Sequence, residues 1–284
     1  MKWDFGTVLK EIRKSKGLSQ REVCGDALSR TTLSKIENNK EYPTIAHFAH
    51  ILRQLDMTYA EFDYICHTYR PSERSSLINK FENLRGNFFT EKSSQTLLEQ
   101  IEQYLKKHDD IRLQRMQQQL HLAISISQEG AGERTRCLAQ ELWQELEKCD
   151  TWYLADFRKL NLVLPFLPLK QLEGFVNKVL SSLKKYKDFK EIQTSQFVLL
   201  ANLSTVLIKN DHIIDCKRII EIAYQIAQES MRIDYIGFAN VRMGILRHDK
   251  KMVDKGLAIL QAAEMVDMAE KMELEVNEYW GRFA

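Results

Sequence analysis

The amino-acid sequence predicts an all-α protein with two domains, and three observations support this prediction. Among 284 residues there are only 11 glycines and 4 prolines, well below the average usage of roughly 7 % and 5 %. Apolar residues recur at helical spacing along almost the whole chain. The length of 284 residues corresponds to about two domains at the usual ~150 residues each.

The first two predicted helices lie near the N-terminus and are separated by a glycine. Apolar residues at positions 5, 8, 9 and 12 have helical spacing, and Gly17 provides the stop. The second helix begins behind a capping box, in which Ser19 is the N-cap and Glu22 stands three residues later. The Gly25-Asp26 pair then predicts a turn.

The third predicted helix, residues 30–37, is short and polar and follows this turn. Ser29 is placed to cap it, and two further helices are predicted behind Thr44 and Thr58. A short helix, a tight turn and a capped polar helix are typical of a helix-turn-helix. We therefore expect a five-helix domain over residues 1–66.

The charge of the chain is distributed unevenly, although the formal net charge is only +2. Residues 1–40 carry nine basic and five acidic side chains, residues 41–70 carry two and four, and residues 71–284 are balanced. Any affinity for phosphate should therefore belong to the first forty residues. The charge alone is equally consistent with a solvated helix face.

Two segments resemble a known family. Residues 12–23, Ile-Arg-Lys-Ser-Lys-Gly-Leu-Ser-Gln-Arg-Glu-Val, and residues 29–40, Ser-Arg-Thr-Thr-Leu-Ser-Lys-Ile-Glu-Asn-Asn-Lys, resemble the phage-repressor (Xre) type of helix-turn-helix, over residues 3–65 in all. The turn at residues 25–28 is one residue shorter than the common pattern. This shorter form, together with the chain length, resembles the Rgg (Rgg/GadR/MutR) family of regulators from Gram-positive bacteria.

The resemblance implies roles for single residues. Arg30, Thr31 and Lys35 would face base edges in the major groove, and Arg30 is suited to a bidentate contact with guanine. Positions that usually hold phosphates are Gln20, Ser29, Thr32, Ser34, Asn38 and Lys40. The alternatives are that Ser29 is only an N-cap, that Asn38 only closes the helix, and that Arg30 and Lys35 are merely solvated.

Arg13 and Glu37 receive a structural role from the same resemblance. The matching positions of such proteins form a partly buried ion pair between the first and third helices. We expect the same pair here, so that Arg13 stabilises the domain and does not contact DNA.

A second, longer domain is expected after a short linker. The periodicity lapses at residues 67–72, which include Pro71, and residues 73–284 are predicted to be helical throughout. The predicted helices lie near residues 72–86, 92–107, 110–128, 133–148, 151–164, 168–186, 189–209, 213–230, 232–248, 250–270 and 272–282. Consecutive helices with short connections form antiparallel pairs.

The second domain contains an internal repeat. Residues 157–164, 198–205 and 236–243 align, and each places an asparagine in an otherwise apolar helix: Asn161, Asn202 and Asn240. The spacings of 41 and 38 residues are close to the 34-residue tetratricopeptide (TPR) period. We therefore expect a TPR-like α-helical repeat domain.

The three asparagines are candidate peptide ligands. The first helix of each repeat lines the concave groove of a solenoid, where an amide side chain offers a donor and an acceptor to an extended peptide backbone. Peptide-sensing regulators related to Rgg clamp short peptides in a similar way. Arg158, one turn before Asn161, is placed to pair with a peptide carboxylate. The alternatives are bonds of each asparagine to a neighbouring helix or a buried water, and a surface salt bridge for Arg158.

Other chemistry is not supported by the sequence. The motifs of nucleotide-binding loops and nucleophile elbows are missing, so we expect no enzyme and no cofactor. His47 and His50 stand three residues apart without a third ligand nearby, so no metal site is predicted. Five widely spaced cysteines, no signal sequence and no membrane-spanning run predict a cytoplasmic protein with reduced thiols.

Together with these patterns, the resemblance to the Rgg family implies a transcription regulator of the quorum-sensing type. The first domain binds double-stranded promoter DNA, and the second dimerises and senses a short signalling peptide. A homodimer is expected because one helix-turn-helix neutralises too few phosphates for tight specific binding, and residues 250–282 are its candidate interface. RNA polymerase is a further candidate partner. The alternative is a helix-turn-helix repressor whose repeats dock a protein partner and bind no peptide.

Overall fold

The computed structural model describes residues 4–84, 91–167, 172–189 and 192–282. In these ranges the regular structure consists of sixteen α-helices and one 3-10 helix, without a strand. The predicted all-α fold is therefore confirmed. Predictions for residues 1–3, 85–86, 168–171, 190–191 and 283–284 lie outside the described ranges. No helix of the described part is both long and apolar enough to cross a membrane.

Five short helices form the N-terminal part of the chain. They are α1 (Phe5–Ser15), α2 (Gln20–Cys24), α3 (Arg30–Glu37), α4 (Ile45–Gln54) and α5 (Tyr59–Cys66). Their apolar faces meet in one core, which contains Leu9, Val23, Leu33, Ile51 and Phe62. The starts of α2 to α5 agree with the sequence prediction because a local side-chain cap sets each of them.

The helices α2 to α5 are each capped by a side chain that accepts from the backbone N–H three residues later. Ser19 accepts from the Glu22 N–H, and the Glu22 carboxylate accepts from the Ser19 N–H, which completes the predicted capping box. Ser29, Thr44 and Thr58 cap α3, α4 and α5 in the same way.

Eleven further α-helices follow among the described residues. They are α6 (Glu73–Asn83), α7 (Glu91–Leu105), α8 (Ile111–Glu129), α9 (Glu133–Glu147), α10 (Leu154–Val163), α11 (Leu172–Lys184), α12 (Gln193–Lys209), α13 (Ile213–Ser230), α14 (Ile233–Arg247), α15 (Lys250–Ala262) and α16 (Val266–Tyr279), and the 3-10 helix Leu164–Phe166 follows α10.

The chain divides into two compact units. One contains Met1–Phe89 with Glu99–Asp109, and the other contains Thr90–Leu98 with Asp110–Ala284. The helix α6 lies within the first of these units.

The last two helices differ from the prediction of helices over 250–270 and 272–282. The break falls at residues 263–265, where Glu264 adopts a left-handed conformation with φ of 57° and the Met265 N–H donates to the Leu260 carbonyl. A glutamate rarely adopts this conformation, so the sequence carries no stop signal here.

The second unit is a stack of helix pairs, with α12 packed on α13 and α14 packed on α15. The rings of Phe197 in α12 and Tyr235 in α14 stack with centroids 3.8 Å apart, which joins the first helices of successive pairs. Glycines allow α14 and α15 to approach closely. A Cβ atom on Gly256 would lie 2.7 Å from the Gly237 carbonyl oxygen and 2.7 Å from the Val241 nitrogen.

We expect Gly256→Ala to destabilise the second unit, because two of the three nearest obstructing atoms are backbone and the third is Val241 Cγ2. The helices α14 and α15 would therefore have to separate. The free energy of unfolding should fall by about 1–3 kcal/mol in urea titrations of the full chain. Gly174→Ala in α11 is the matched control, since the methyl group added there would meet no neighbouring atom within 4 Å. Equal, near-zero effects of the two substitutions would contradict the close packing.

Candidate functional sites

A buried ion pair joins α1 to α3 in the first unit. Arg13 Nε lies 2.5 Å from Glu37 Oε1 and Arg13 Nη2 lies 2.9 Å from Glu37 Oε2. The side chains are 10 % and 1 % exposed, respectively. Arg13 Nη1 also donates to the Leu18 carbonyl, and Gln20 Nε2 in α2 donates to Glu37 Oε2. One carboxylate therefore fixes α1 and α2 against α3.

The same contacts shift the pKa of Glu37. Burial raises this pKa, but hydrogen bonds from Arg13 and Gln20 and the positive charges of Arg13 and Lys10 lower it more, so it lies below its usual value. The Arg13 pKa is raised, first of all by its hydrogen bond to Glu37. Both groups are therefore charged at neutral pH.

The outer surface of α3 presents the three candidate base-contacting residues. Arg30, Thr31 and Lys35 are exposed, and Arg30 is the first residue of the helix. The Nζ atom of Lys35 lies 3.6 Å from a carboxylate oxygen of Glu41. Both side chains of this pair are about half exposed, so the contact is weak.

The six candidate phosphate contacts have different surroundings. Ser29 Oγ accepts from the Thr32 N–H and lies 2.9 Å from Thr32 Oγ1, so both hydroxyls belong to the N-cap. Asn38 donates to the Ser34 carbonyl, and its side-chain oxygen accepts from Lys10 Nζ. Gln20 is bonded to Glu37, and Lys40 is exposed.

Asn39, a residue that the sequence did not single out, links the end of α3 to α1. Asn39 has a positive φ of 56°, its side-chain oxygen accepts from the Gly6 N–H, and its amide donates to Thr7 Oγ1. The signal was the Asn-Asn pair after α3, because asparagine tolerates the left-handed conformation better than most residues.

Two of the three repeat asparagines lie together in the second unit. Asn202 Nδ2 in α12 donates to Asn161 Oδ1 in α10 at 3.2 Å. Asn202 is exposed and Asn161 is half-buried, so this amide pair reaches the surface. Arg158, one turn before Asn161, is half-buried on the same helix.

Asn240 does not share this surface. It is 1 % exposed, and its amide donates to the Ile236 carbonyl one turn earlier in α14. The physical reason is that α14 packs against α13, α15 and α16, which cover most of its circumference. The expected equivalence of the three asparagines is therefore corrected for Asn240, whose amide is buried.

The helix α14 contains a buried arginine, Arg242, which the sequence did not single out. Arg242 is fully buried and forms an ion pair with Glu275 in α16. The signal was a lone charged residue in the apolar run of residues 239–246.

Metal-binding groups of three or more His, Cys, Asp or Glu side chains do not occur among the described residues. The Nε2 atom of His50 lies 3.0 Å from the Val23 carbonyl oxygen, and Cys24, Cys66, Cys137, Cys149 and Cys216 are free thiols.

The comparison with protein families decides the nature of the first unit. Residues 6–63 match the family model described as "Helix-turn-helix domain". This range covers α2 to α4 and most of α1 and α5. Residues 6–63 are a helix-turn-helix domain.

Solved structures share the fold of the whole chain, beyond the helix-turn-helix domain. A Listeria monocytogenes EGD-e protein assigned as a transcriptional regulator superposes with a TM-score of 0.76 at 20 % identity, covering 99 % of both chains. The Streptococcus dysgalactiae SHP pheromone receptor Rgg2 gives 0.67 at 15 % identity, covering 96 % of this chain and 99 % of that one.

Bacillus thuringiensis PlcR, solved in complex with the peptide PapR7 and DNA, gives a TM-score of 0.65 at 16 % identity, covering 95 % of this chain and 99 % of that one. Each likeness extends over nearly the full length of both chains. The chain therefore has the fold of Rgg- and PlcR-type regulators, as the resemblance in its sequence implied.

We expect Arg13→Ala to destabilise the helix-turn-helix domain by about 3–5 kcal/mol at pH 7, because it leaves the buried Glu37 carboxylate without its partner. The lowered pKa of Glu37 means that this stabilisation is present above its unfolded pKa of about 4.3 and is lost as the pH falls through the lower folded value. The effect of the substitution should therefore shrink in acid.

The loss of unfolding free energy is measured by hydrogen exchange in the full chain, on peptides from residues 5–66. Exchange is followed against urea at pH 7 and pH 3.5, and the rates are corrected for intrinsic exchange. A variant that keeps its stability at pH 7 and loses only DNA binding would show that Arg13 contacts DNA and has no structural role.

Proposed function

We propose that the chain is a DNA-binding transcription regulator of the Rgg type whose repeats bind a short signalling peptide. The observation that carries the proposal is a helix-turn-helix domain with an exposed recognition helix, followed by repeats that present a surface amide pair. Rgg2 is a pheromone receptor and PlcR was solved with a peptide and DNA, which supports both parts. Regulation of transcription requires no catalytic site, in keeping with the expectation that the chain is not an enzyme.

The proposed DNA contacts follow from the position of α3. The N-terminal residues of a recognition helix reach base edges in the major groove, so Arg30 is assigned to guanine, with Thr31 and Lys35 beside it. A phosphate near Lys35 would compete with Glu41 for the ammonium group. The phosphate contacts are proposed for Gln20, Ser29, Thr32, Ser34, Asn38 and Lys40.

The proposed peptide contacts centre on Asn161 and Asn202. The bond between them uses one N–H of Asn202 and one lone pair of Asn161, so each amide keeps capacity for the backbone of an extended peptide. Arg158 remains the proposed partner of a peptide carboxylate. Asn240 is left out of this set because its amide is buried and bonded to its own helix.

The regulator is proposed to act as a homodimer that reads two half-sites of its promoter. Residues 1–66 would form the DNA-binding domain, residues 67–72 the linker and residues 73–284 the sensor, with the dimer interface within residues 250–282. A bound peptide would favour one arrangement of the repeats and so change the spacing or freedom of the two DNA-binding domains. RNA polymerase is the proposed downstream partner.

We expect Arg30→Ala to weaken binding to genomic fragments selected on the wild-type chain by roughly 5- to 150-fold, which corresponds to the ~1–3 kcal/mol of a bidentate guanine contact. Specificity at one base pair should relax. Lys40→Ala is the matched control: loss of a phosphate contact weakens binding to all sequences alike and lowers the salt slope by about 1. If Arg30→Ala lost affinity equally for selected and random DNA, its proposed role in base recognition would be contradicted.

We expect Asn202→Ala combined with Asn161→Ala to raise the dose of dense-culture medium needed for half-maximal reporter response by roughly 5- to 150-fold, with DNA binding unchanged. The reason is the loss of two amides that would bond the peptide backbone. Asn240→Ala is the control and should respond like the wild type. A normal response of the double variant would favour the alternative, in which the repeats dock a protein partner.

A further inference from the structure

The side chain of Arg242 is the centre of a buried polar network in the second unit. Its Nε donates to Glu275 Oε2 at 3.1 Å, and its Nη2 donates to both carboxylate oxygens of Glu275. Its Nη1 contacts the Ala201 carbonyl at 3.2 Å, Ser204 Oγ at 2.9 Å and Thr205 Oγ1 at 2.7 Å. The network therefore joins α12, α14 and α16.

The charge of Arg242 makes α16 part of this network. The guanidinium is fully buried, and Glu275 in α16 is the carboxylate with which it pairs. Removing the carboxylate from a buried arginine leaves a buried charge without its counter-charge, which is strongly unfavourable. The arrangement around Arg242 therefore includes a charge pair that only α16 completes.

The helix α16 is held by one apolar face and by the ion pair to Arg242. Ala269, Met272 and Tyr279 are buried, Met268 and Val276 pack against the same core while partly buried, and Val266 and Leu274 are exposed. The ion pair is therefore the buried polar contact that complements this apolar face.

The other end of the network fixes the α12 turn at residues 201–205. The hydroxyls of Ser204 and Thr205 both donate to the Ala201 carbonyl, and both accept from Arg242. Asn202 lies within this turn, is exposed, and donates to Asn161. Arg242 therefore bonds, from inside the core, the helical turn that presents Asn202 at the surface.

We propose that Arg242 is a positioning residue that couples the Asn202 turn to the docking of α16. A ligand that favours one conformation of residues 201–205 also favours one position of α16, and by linkage the position of α16 changes the affinity for that ligand. The ligand part of this inference rests on the proposed function. The coupling between the turn and α16 does not depend on it.

A double-mutant cycle on the full chain tests the coupling. Met272→Ala loosens α16 from a buried position outside the network, and hydrogen exchange reports the amides of residues 201–205. In the wild-type background their exchange should accelerate roughly 5- to 150-fold. Arg242→Gln and Glu275→Gln combined replace the ion pair by two neutral amides. In that background, Met272→Ala should alter the exchange of residues 201–205 less than about twofold.

The matched control removes another ion pair of α14. Arg247 and Glu221 are about half exposed and 3.0 Å apart, so Arg247→Gln with Glu221→Gln should leave the full effect of Met272→Ala intact. Equal acceleration at residues 201–205 with and without the Arg242 pair would overturn the proposal. If the Gln pair does not fold, Glu275→Asp takes its place in the cycle. It should reduce the effect of Met272→Ala on exchange at residues 201–205, but by less than the Gln pair.

A binding arm separates this proposal from the proposed function. Heptapeptides are selected on the wild-type chain from a displayed library, and their binding to the Gln pair should be roughly 5- to 150-fold weaker, with DNA binding unchanged. Unaltered peptide binding would overturn the positioning role. Failure of the wild type to retain any heptapeptide would count against the proposed function, while the exchange cycle would still decide the coupling.

Discussion

A buried arginine that pairs with a glutamate on another helix is the interaction on which each compact unit depends. Arg13 meets Glu37 in the first unit, and Arg242 meets Glu275 in the second. The desolvation of such a pair offsets much of its attraction, but removing one partner costs about 3–5 kcal/mol. These pairs therefore specify which helices meet and in what register, more than they add net stability.

Both pairs lie directly behind a candidate functional surface. Glu37 belongs to α3, whose outer side presents Arg30, and it also accepts from Gln20 in α2. Arg242 bonds the turn that presents Asn202. Recognition needs side chains that are held in place before the ligand arrives, because each ordered rotamer would otherwise reduce the affinity. A rigid polar support under an exposed residue meets this requirement in each unit.

The repeat asparagines show where periodicity stops being informative. The spacing placed Asn161, Asn202 and Asn240 at equivalent positions, yet the first two form a surface pair and the third is buried. The difference comes from the neighbours of each helix, since α14 packs against α13, α15 and α16. A repeat in sequence predicts a repeat in structure, whereas exposure depends on which neighbours a given repeat has.

The sequence by itself determined the helices of the first domain, their caps and the local excess of positive charge. These features depend on contacts within three or four residues, such as Ser19 with Glu22 or Ser29 with Thr32. The tertiary structure alone decided the burial of Asn240, the left-handed break at Glu264 and the pairing of Arg242. Arg242 meets partners 33 to 41 residues away in sequence, and only the packed helices bring such residues together.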